Sequence, residues 1–325
     1  MESLQDNSLG TALLGDGTPL LLFTGLSLVL SGVFALFLAS TGEFLPQDSL
    51  YLQMTARALC GYYEGRILDF MVHDRAAFGG SIIAVGSIYM WLAYYPLREG
   101  EAWAWWVFLV SGILGFGSFL AYLGYGYLDR WHAVATTALL PVFIVGLVVA
   151  FRSLPRSGRS IRCLFRRQES RLPGRGEILL LLTSAGMIGA GLTILFVGMT
   201  SVFVPQDLEF IGATKEELNA VSPNLIPLIA HDRAGFGGGL ATTGIVVGAS
   251  IWCGKASLSR WQVLFIAGFA GFGCAIGVHY VIGYTDFIHL APAWIGFAFF
   301  MMGIVLHRCE LQGNARADRM PGPGD

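Results

Sequence analysis

Apolar runs of about twenty residues recur along this chain, and they constrain its fold more than any other feature. A helix rises 1.5 Å per residue, so roughly 20 apolar residues cross a hydrocarbon core of about 30 Å. Eight stretches are that long, at about residues 19–40, 76–96, 102–128, 131–151, 178–204, 234–253, 261–285 and 289–307. Of the 325 residues 54% are hydrophobic and only 13% charged, against about 25% charged in a soluble domain. The predicted fold class is all-α integral membrane, with eight transmembrane helices. A net charge of −2 gives no reason to expect a nucleic-acid partner; the lipid bilayer is the expected one.

Charge sets the orientation. Residues 152–175 carry eight arginines and one acid, Glu169, and the positive-inside rule places such a loop in the cytoplasm. Lys255 and Arg260, between the sixth and seventh spans, and Arg308, Arg316 and Arg319 after the last agree. The expectation is a protein of the cytoplasmic (inner) membrane with both termini cytoplasmic. Met1 to Gly17 contains three acids and no Lys or Arg, so it lacks the basic start of a signal peptide and reads as a mature N-terminus. Cys60, Cys163, Cys253, Cys274 and Cys309 form no CxxC pair, and neither a disulfide framework nor a zinc ribbon is expected.

The chain also reads as a tandem duplication. His73-Asp74-Arg75-Ala76-Ala77-Phe78-Gly79-Gly80 returns as His231-Asp232-Arg233-Ala234-Gly235-Phe236-Gly237-Gly238, and Pro46-Gln47-Asp48 returns as Pro205-Gln206-Asp207. Gly126-Tyr127-Leu128-Asp129 with His132 matches Gly283-Tyr284-Thr285-Asp286 with His289. Four spans per repeat is an even number, so the two four-helix-bundle repeats run parallel through the membrane. The expected parts are a tail over 1–18, a first repeat over 19–151, an Arg-rich linker over 152–177, a second repeat over 178–307 and a tail over 308–325. Each Pro-Gln-Asp to His-Asp-Arg linker reads as a partly apolar lid on the outer end of its own bundle. Thr214-Lys215-Glu216-Glu217 opens a short helix there with a capping box.

This topology puts all the repeated polar motifs on the outer side, at the borders of spans. Polar side chains are costly against lipid, so the bland reading is that they cap helices and meet water. Survival of the same His, Asp and Arg in two otherwise different halves argues for a site. Paired imidazoles (His73 with His132, His231 with His289) could ligate a haem iron axially, with Asp74, Asp129, Asp232 and Asp286 accepting the other ring N–H. Arg75 and Arg233 would then pair with the propionates. Alternatively, two His and two Asp per half could hold an iron, copper or zinc ion directly. Spacing alone does not separate these chemistries. His279 lies within span seven with no counterpart in the first half, and His307 reads as a solvated boundary residue. The 43 glycines suit close helix contacts or room for a flat ligand.

With one histidine at the outer end of spans two, four, six and eight, the pattern resembles the heme A synthases. Those are eight-span proteins of two four-helix halves with both ends cytoplasmic. In that family the first histidine of each half is followed by Arg and small residues; here an Asp intervenes, as His73-Asp74-Arg75 and His231-Asp232-Arg233. The resemblance implies haem b at His73, His132, His231 and His289, and a redox or haem-modifying role as a membrane oxidoreductase. The family's Glu three residues before that first histidine is Phe70 here, with Asp69 next to it, and its cysteine pair is reduced to Cys60. Two other readings stand beside it. One is a metal-dependent membrane enzyme acting on a lipid or quinone. The other is a non-enzymatic transporter, or an accessory subunit of a larger complex with another membrane redox subunit.

Overall fold

In a computed structural model, residues 14–120, 127, 130–155, 159–167 and 172–317 are described; the side chains of 119, 131, 132 and 314–317 are not. Asp129 and the side chain of His132 therefore lie outside the described residues. The helices are α1 (Thr18–Thr41), α2 (Pro46–Leu52), α3 (Ala56–Leu59), α4 (Arg66–Leu92), α5 (Ala102–Leu120) and α6 (Arg130–Ser153). They continue as α7 (Arg175–Met199), α8 (Pro205–Ile211), α9 (Lys215–Val221), α10 (Leu225–Cys253), α11 (Leu258–Ile282) and α12 (Phe287–Ala317). No strand occurs among the described residues. Seven of these helices are long and apolar enough to cross a membrane, whereas the apolar part of α5 is shorter, Ala102–Ser118.

The long helices are not equivalent. Over their most apolar stretches α4 and α10 are 78% and 72% buried, while α1, α6, α7, α11 and α12 are each 22% buried. Thus α4 and α10 form the centre, and the others turn most of their apolar surface outward. Glycine permits the tightest contacts. A Cβ on Gly32 of α1 would stand 2.6 Å from the Gly79 carbonyl oxygen of α4, and one on Gly191 of α7 would stand 2.7 Å from that of Gly237 of α10. The two contacts are 159 and 158 positions apart, so α1 meets α4 as α7 meets α10.

Two separate bundles are not what forms. α4 also packs along α11, and α10 along α5. A Cβ on Gly80 would stand 2.7 Å from the Ala270 carbonyl oxygen of α11. Each central helix is thus held by a neighbour from the other half.

α4 and α10 also begin about ten residues before the expected borders. His73-Asp74-Arg75 and His231-Asp232-Arg233 lie within them rather than at a loop edge. Nor do the lids cover separate halves. Leu52, Leu59 and Phe70 share one apolar core with Phe203, Ile211 and Leu218. Asn224 Nδ2 donates to the Tyr51 carbonyl at 2.6 Å, tying the two lids together. α9 opens with the expected capping box: Glu217 N–H donates to Thr214 Oγ1 at 3.2 Å, and Thr214 N–H to Glu217 Oε2 at 2.8 Å. Hydrogen bonds from the Thr214 backbone and hydroxyl hold the Glu217 carboxyl below its usual range.

At the end remote from the lids, Glu177 accepts from Arg260 and from Arg167, each at 2.7 Å. His307 Nε2 stands 3.1 Å from Arg260 Nη2. His307 is fully buried and not the solvated boundary residue expected, because it packs against this buried ion pair.

Gly191→Leu should force α7 from α10 and cost about 1–3 kcal/mol, the usual overpacking penalty. Thermal unfolding in detergent should show it. Gly186→Leu, on the same helix with open space around its Cβ, should unfold like the parent.

Candidate functional site

The repeated acids and arginines meet beneath the joint lid in two crossed clamps. Pro46 and Pro205 occupy the first turns of α2 and α8, where the missing N–H costs nothing. The aspartate two residues on is thereby presented from a helix start to the bundle. Arg75 donates to Asp48 at 3.0 Å and to Asp232, across in α10, at 2.8 Å. Arg233 donates to Asp207 and stands 3.5 Å from Asp74, across in α4. Each arginine therefore binds the Pro-Gln-Asp of its own half and the His-Asp-Arg aspartate of the other. Aromatic rings flank both: Phe44 lies 5.4 Å from the Arg75 guanidinium, and Phe70 lies 4.9 Å from that of Arg233.

The arginines are thus occupied by carboxylates rather than facing outward for propionates. Asp48, Asp207, Tyr127 and Tyr284 were not among the expected site residues, although their motifs repeat. Tyr127 OH donates to Asp48, and Tyr284 OH donates to Asp207 at 2.9 Å. Asp207 lies ahead of the spans. Burial works to raise its carboxyl, but the Arg233 charge and hydrogen bonds from Arg233, Val204 N–H and Tyr284 together hold it below the usual range.

The histidines sort differently from the expected pairs. His73 Nδ1–H donates to Asp74 Oδ1 at 2.9 Å, since a carboxylate only accepts. His279 Nδ1–H donates to the Ala275 carbonyl at 2.6 Å. The Tyr284 proton is committed to Asp207, so the Tyr284 oxygen accepts from His289 Nδ1–H at 3.2 Å. In its neutral form each of the three rings then carries its lone pair on Nε2. His73 Nε2 and His279 Nε2 stand 3.1 Å apart, and ligand nitrogens from all three rings lie within 4.8 Å of one another. At that distance the two nitrogens share a proton in a hydrogen bond or, with both lone pairs bare, hold a metal cation between them. Nitrogens about 2.0–2.1 Å from one tetrahedral ion are about 3.3 Å apart.

His289 therefore joins His73 and His279, not His231. Asp286 caps α12, accepting the His289 backbone N–H at 2.8 Å; the group behind the His289 ring is Tyr284. His231 is buried separately, with Nδ1–H donating to Asp232 Oδ1 at 3.1 Å and the Tyr127 ring 5.2 Å away. A bis-histidine haem needs nitrogens on opposite sides of the iron, about 4 Å apart with the porphyrin plane between. The His73 and His279 nitrogens, converging at 3.1 Å, do not fit it. With this geometry in hand, no protein-family model, curated protein or solved structure matches the chain.

Replacing Arg233, which is 5% exposed, by Met leaves Asp207 and Asp74 without their counter-charge and should cost about 3–5 kcal/mol. Adding Asp207→Asn should recover part of the lost thermal stability; strictly additive losses would show that the two groups do not interact. Because the folded carboxyl of Asp207 is lowered, its contribution is complete above the unfolded value of about 3.9. It should be lost only as pH falls through the folded value, so Asp207→Asn should flatten the acid limb of a stability–pH curve.

Proposed function

We propose that this chain is an integral membrane metalloenzyme with one divalent first-row transition-metal ion in a three-histidine centre formed by His73, His279 and His289. The observation that carries this reading is the convergence of ring nitrogens from three histidines within 4.8 Å of one another, each ring with its Nδ1 held by an acceptor. Outer partners of that kind set both tautomer and orientation in metal-ligating histidines. Imidazole donors suit zinc, copper or iron.

Charge supports the same reading. Among the described residues Asp48, Asp74, Asp207 and Asp232 face Arg75 and Arg233, so four formal negative charges meet two positive ones there, an excess of two. A dication held by neutral imidazoles would offset that excess. Three protein ligands leave a fourth position for water or substrate, as in catalytic rather than structural sites. The ion would supply Lewis acidity and a water acidic enough to act near neutral pH. The chain's own groups hold the site: Asp74 orients His73, Arg233 fixes Asp207, and Asp207 fixes Tyr284, which orients His289. The joint lid keeps bulk water from the buried carboxylates.

The architecture in this reading is eight spans in two tandem, parallel repeats in the cytoplasmic membrane. The lids and site face outward, and the termini and Arg-rich linker face the cytoplasm. The matched glycine contacts and crossed clamps support the repeat, and the eight arginines of residues 152–175 support the orientation.

Protein purified in detergent, stripped with chelator and reloaded should retain about one equivalent of metal by elemental mass spectrometry. His279→Ala and His289→Ala should lose it while eluting as folded monodisperse protein, and His231→Ala should keep it. Failure of the parent to retain metal, or retention in both single variants, would overturn the reading. So would a Soret band from stoichiometric haem in place of the ion.

A further inference from the structure

At the end remote from the lids, the Arg-rich stretch between α6 and α7 contains a short 3-10 helix, Ile161–Phe165. Ser160 opens it, its hydroxyl accepting the Arg162 N–H at 3.4 Å. Cys163 and Leu164 turn inward and pack against the main core. The end of α10 holds the segment by its backbone: Trp252 Nε1 donates to the Phe165 carbonyl at 3.4 Å, and Cys253 Sγ to that of Leu164 at 3.3 Å. The outward face is thereby fixed, and it carries two kinds of side chain. Phe165 and Ile161 are 76% and 46% exposed, and Arg159, Arg162 and Arg166 are exposed with them. Residues three apart share a face of a 3-10 helix, so Arg162 and Phe165 stand side by side.

Charge and depth select the partner. Arg167 turns in to Glu177 at 2.7 Å, and that buried carboxylate also binds Arg260. Arg152, Arg159, Arg162 and Arg166 put four positive charges on the outside. Arg159 donates to the Arg152 carbonyl at 3.3 Å and stands 5.1 Å from the Phe151 ring, contacts that leave its charge without a carboxylate. A partner with negative charge in excess fits this face, whereas a zwitterionic head brings its own counter-charge and gains less. The two apolar side chains fix the kind of partner. A nucleic acid or an acidic peptide offers an aliphatic Ile161 little, but acyl chains accept both Ile161 and Phe165. Trp252 marks the depth: it is exposed at the end of α10, a helix long and apolar enough to cross a membrane, and indole rings gather where headgroups meet hydrocarbon.

We infer that this face docks on the headgroups of anionic phospholipids, with the four arginines on the phosphodiester groups and Phe165 and Ile161 entering the acyl boundary. Each basic side chain beside an anionic bilayer surface adds to such binding. The surface lies at the opposite end of the bundle from the three-histidine centre and does not depend on a metal there.

The test is native mass spectrometry of the purified protein in detergent, titrated with palmitoyl-oleoyl-phosphatidylglycerol, palmitoyl-oleoyl-phosphatidylcholine or a short oligouridylate. A headgroup that reaches one or two arginines, each worth about fivefold, should make phosphatidylglycerol bind about tenfold more tightly than phosphatidylcholine. Raising the ammonium acetate concentration should erase that preference by screening. Joint Arg159→Gln, Arg162→Gln and Arg166→Gln should bring phosphatidylglycerol down to the level of phosphatidylcholine, and the matching triple lysine variant should restore the preference. Arg57→Gln, which removes an exposed charge on the lid, should leave it unchanged. Phe165→Ser should weaken both lipids about tenfold. Equal affinity of the parent for the two lipids, a preference insensitive to salt, or full phosphatidylglycerol binding by the triple glutamine variant would each overturn the assignment. Tighter binding of the oligouridylate than of phosphatidylglycerol would overturn it in favour of a nucleic acid.

Discussion

The crossed pairing of Arg75 and Arg233 with four aspartates is the constraint on which the rest of this protein depends. Charges inside an apolar helix bundle are tolerated only when paired and hydrogen-bonded, because desolvation costs several kcal/mol per ion. Here the partners come from four elements, α2, α4, α8 and α10. α4 and α10 therefore have one relative register in which both clamps close, and α2 and α8 must fold back over the bundle to deliver Asp48 and Asp207. The two lids meet over this shared point and merge into one apolar core.

The same clamps place the histidines. Asp74 and Asp232 each face an arginine with one oxygen and a neighbouring imidazole with the other. Each His-Asp-Arg run is thus a relay: the arginine of one half fixes the aspartate of the other, which fixes the tautomer of its own histidine. On the Asp207 side the relay continues through Tyr284 to His289. These groups are held from behind by other protein groups, which fixes the orientation of each ring.

Much of this was legible in the sequence. The apolar runs gave the helical membrane class, the repeated motifs pointed to the residues that do meet, and the Thr214 capping box appears as read. The partners could not be read. A motif repeated at a fixed offset says that two places are equivalent, but not whether each is completed within its half or across halves. Here it is completed across, because Gly80 brings α4 against α11 and so sets His73 beside His279 and His289. Hydropathy also misplaced the start of α4 and α10: Arg75 and Arg233 lower the local average although both are neutralised inside the fold. His307 misled for the same reason, since its partner Arg260 is distant in sequence. Asp48 and Asp207 were passed over because a Pro-Gln-Asp at a loop edge looks like an ordinary helix start; their recurrence in both halves was the available signal.

The matched His-Asp-Arg and Pro-Gln-Asp motifs make the polar layer nearly symmetric but do not require the two sides to do the same work. Each central helix brings a His-Asp pair whose ring carries its lone pair on Nε2, and the neighbouring helix decides the chemistry open to it. At His73 the neighbour is α11, and His279 adds a second ring nitrogen at 3.1 Å with His289 beside it. At His231 the described surroundings include the Tyr127 ring and the apolar walls of a cavity. A single unmatched residue, His279, is enough to make the surroundings of the two His-Asp pairs differ. Both sides remain joined through the same two arginines, so a change of charge at either side is felt in the carboxylates of the other.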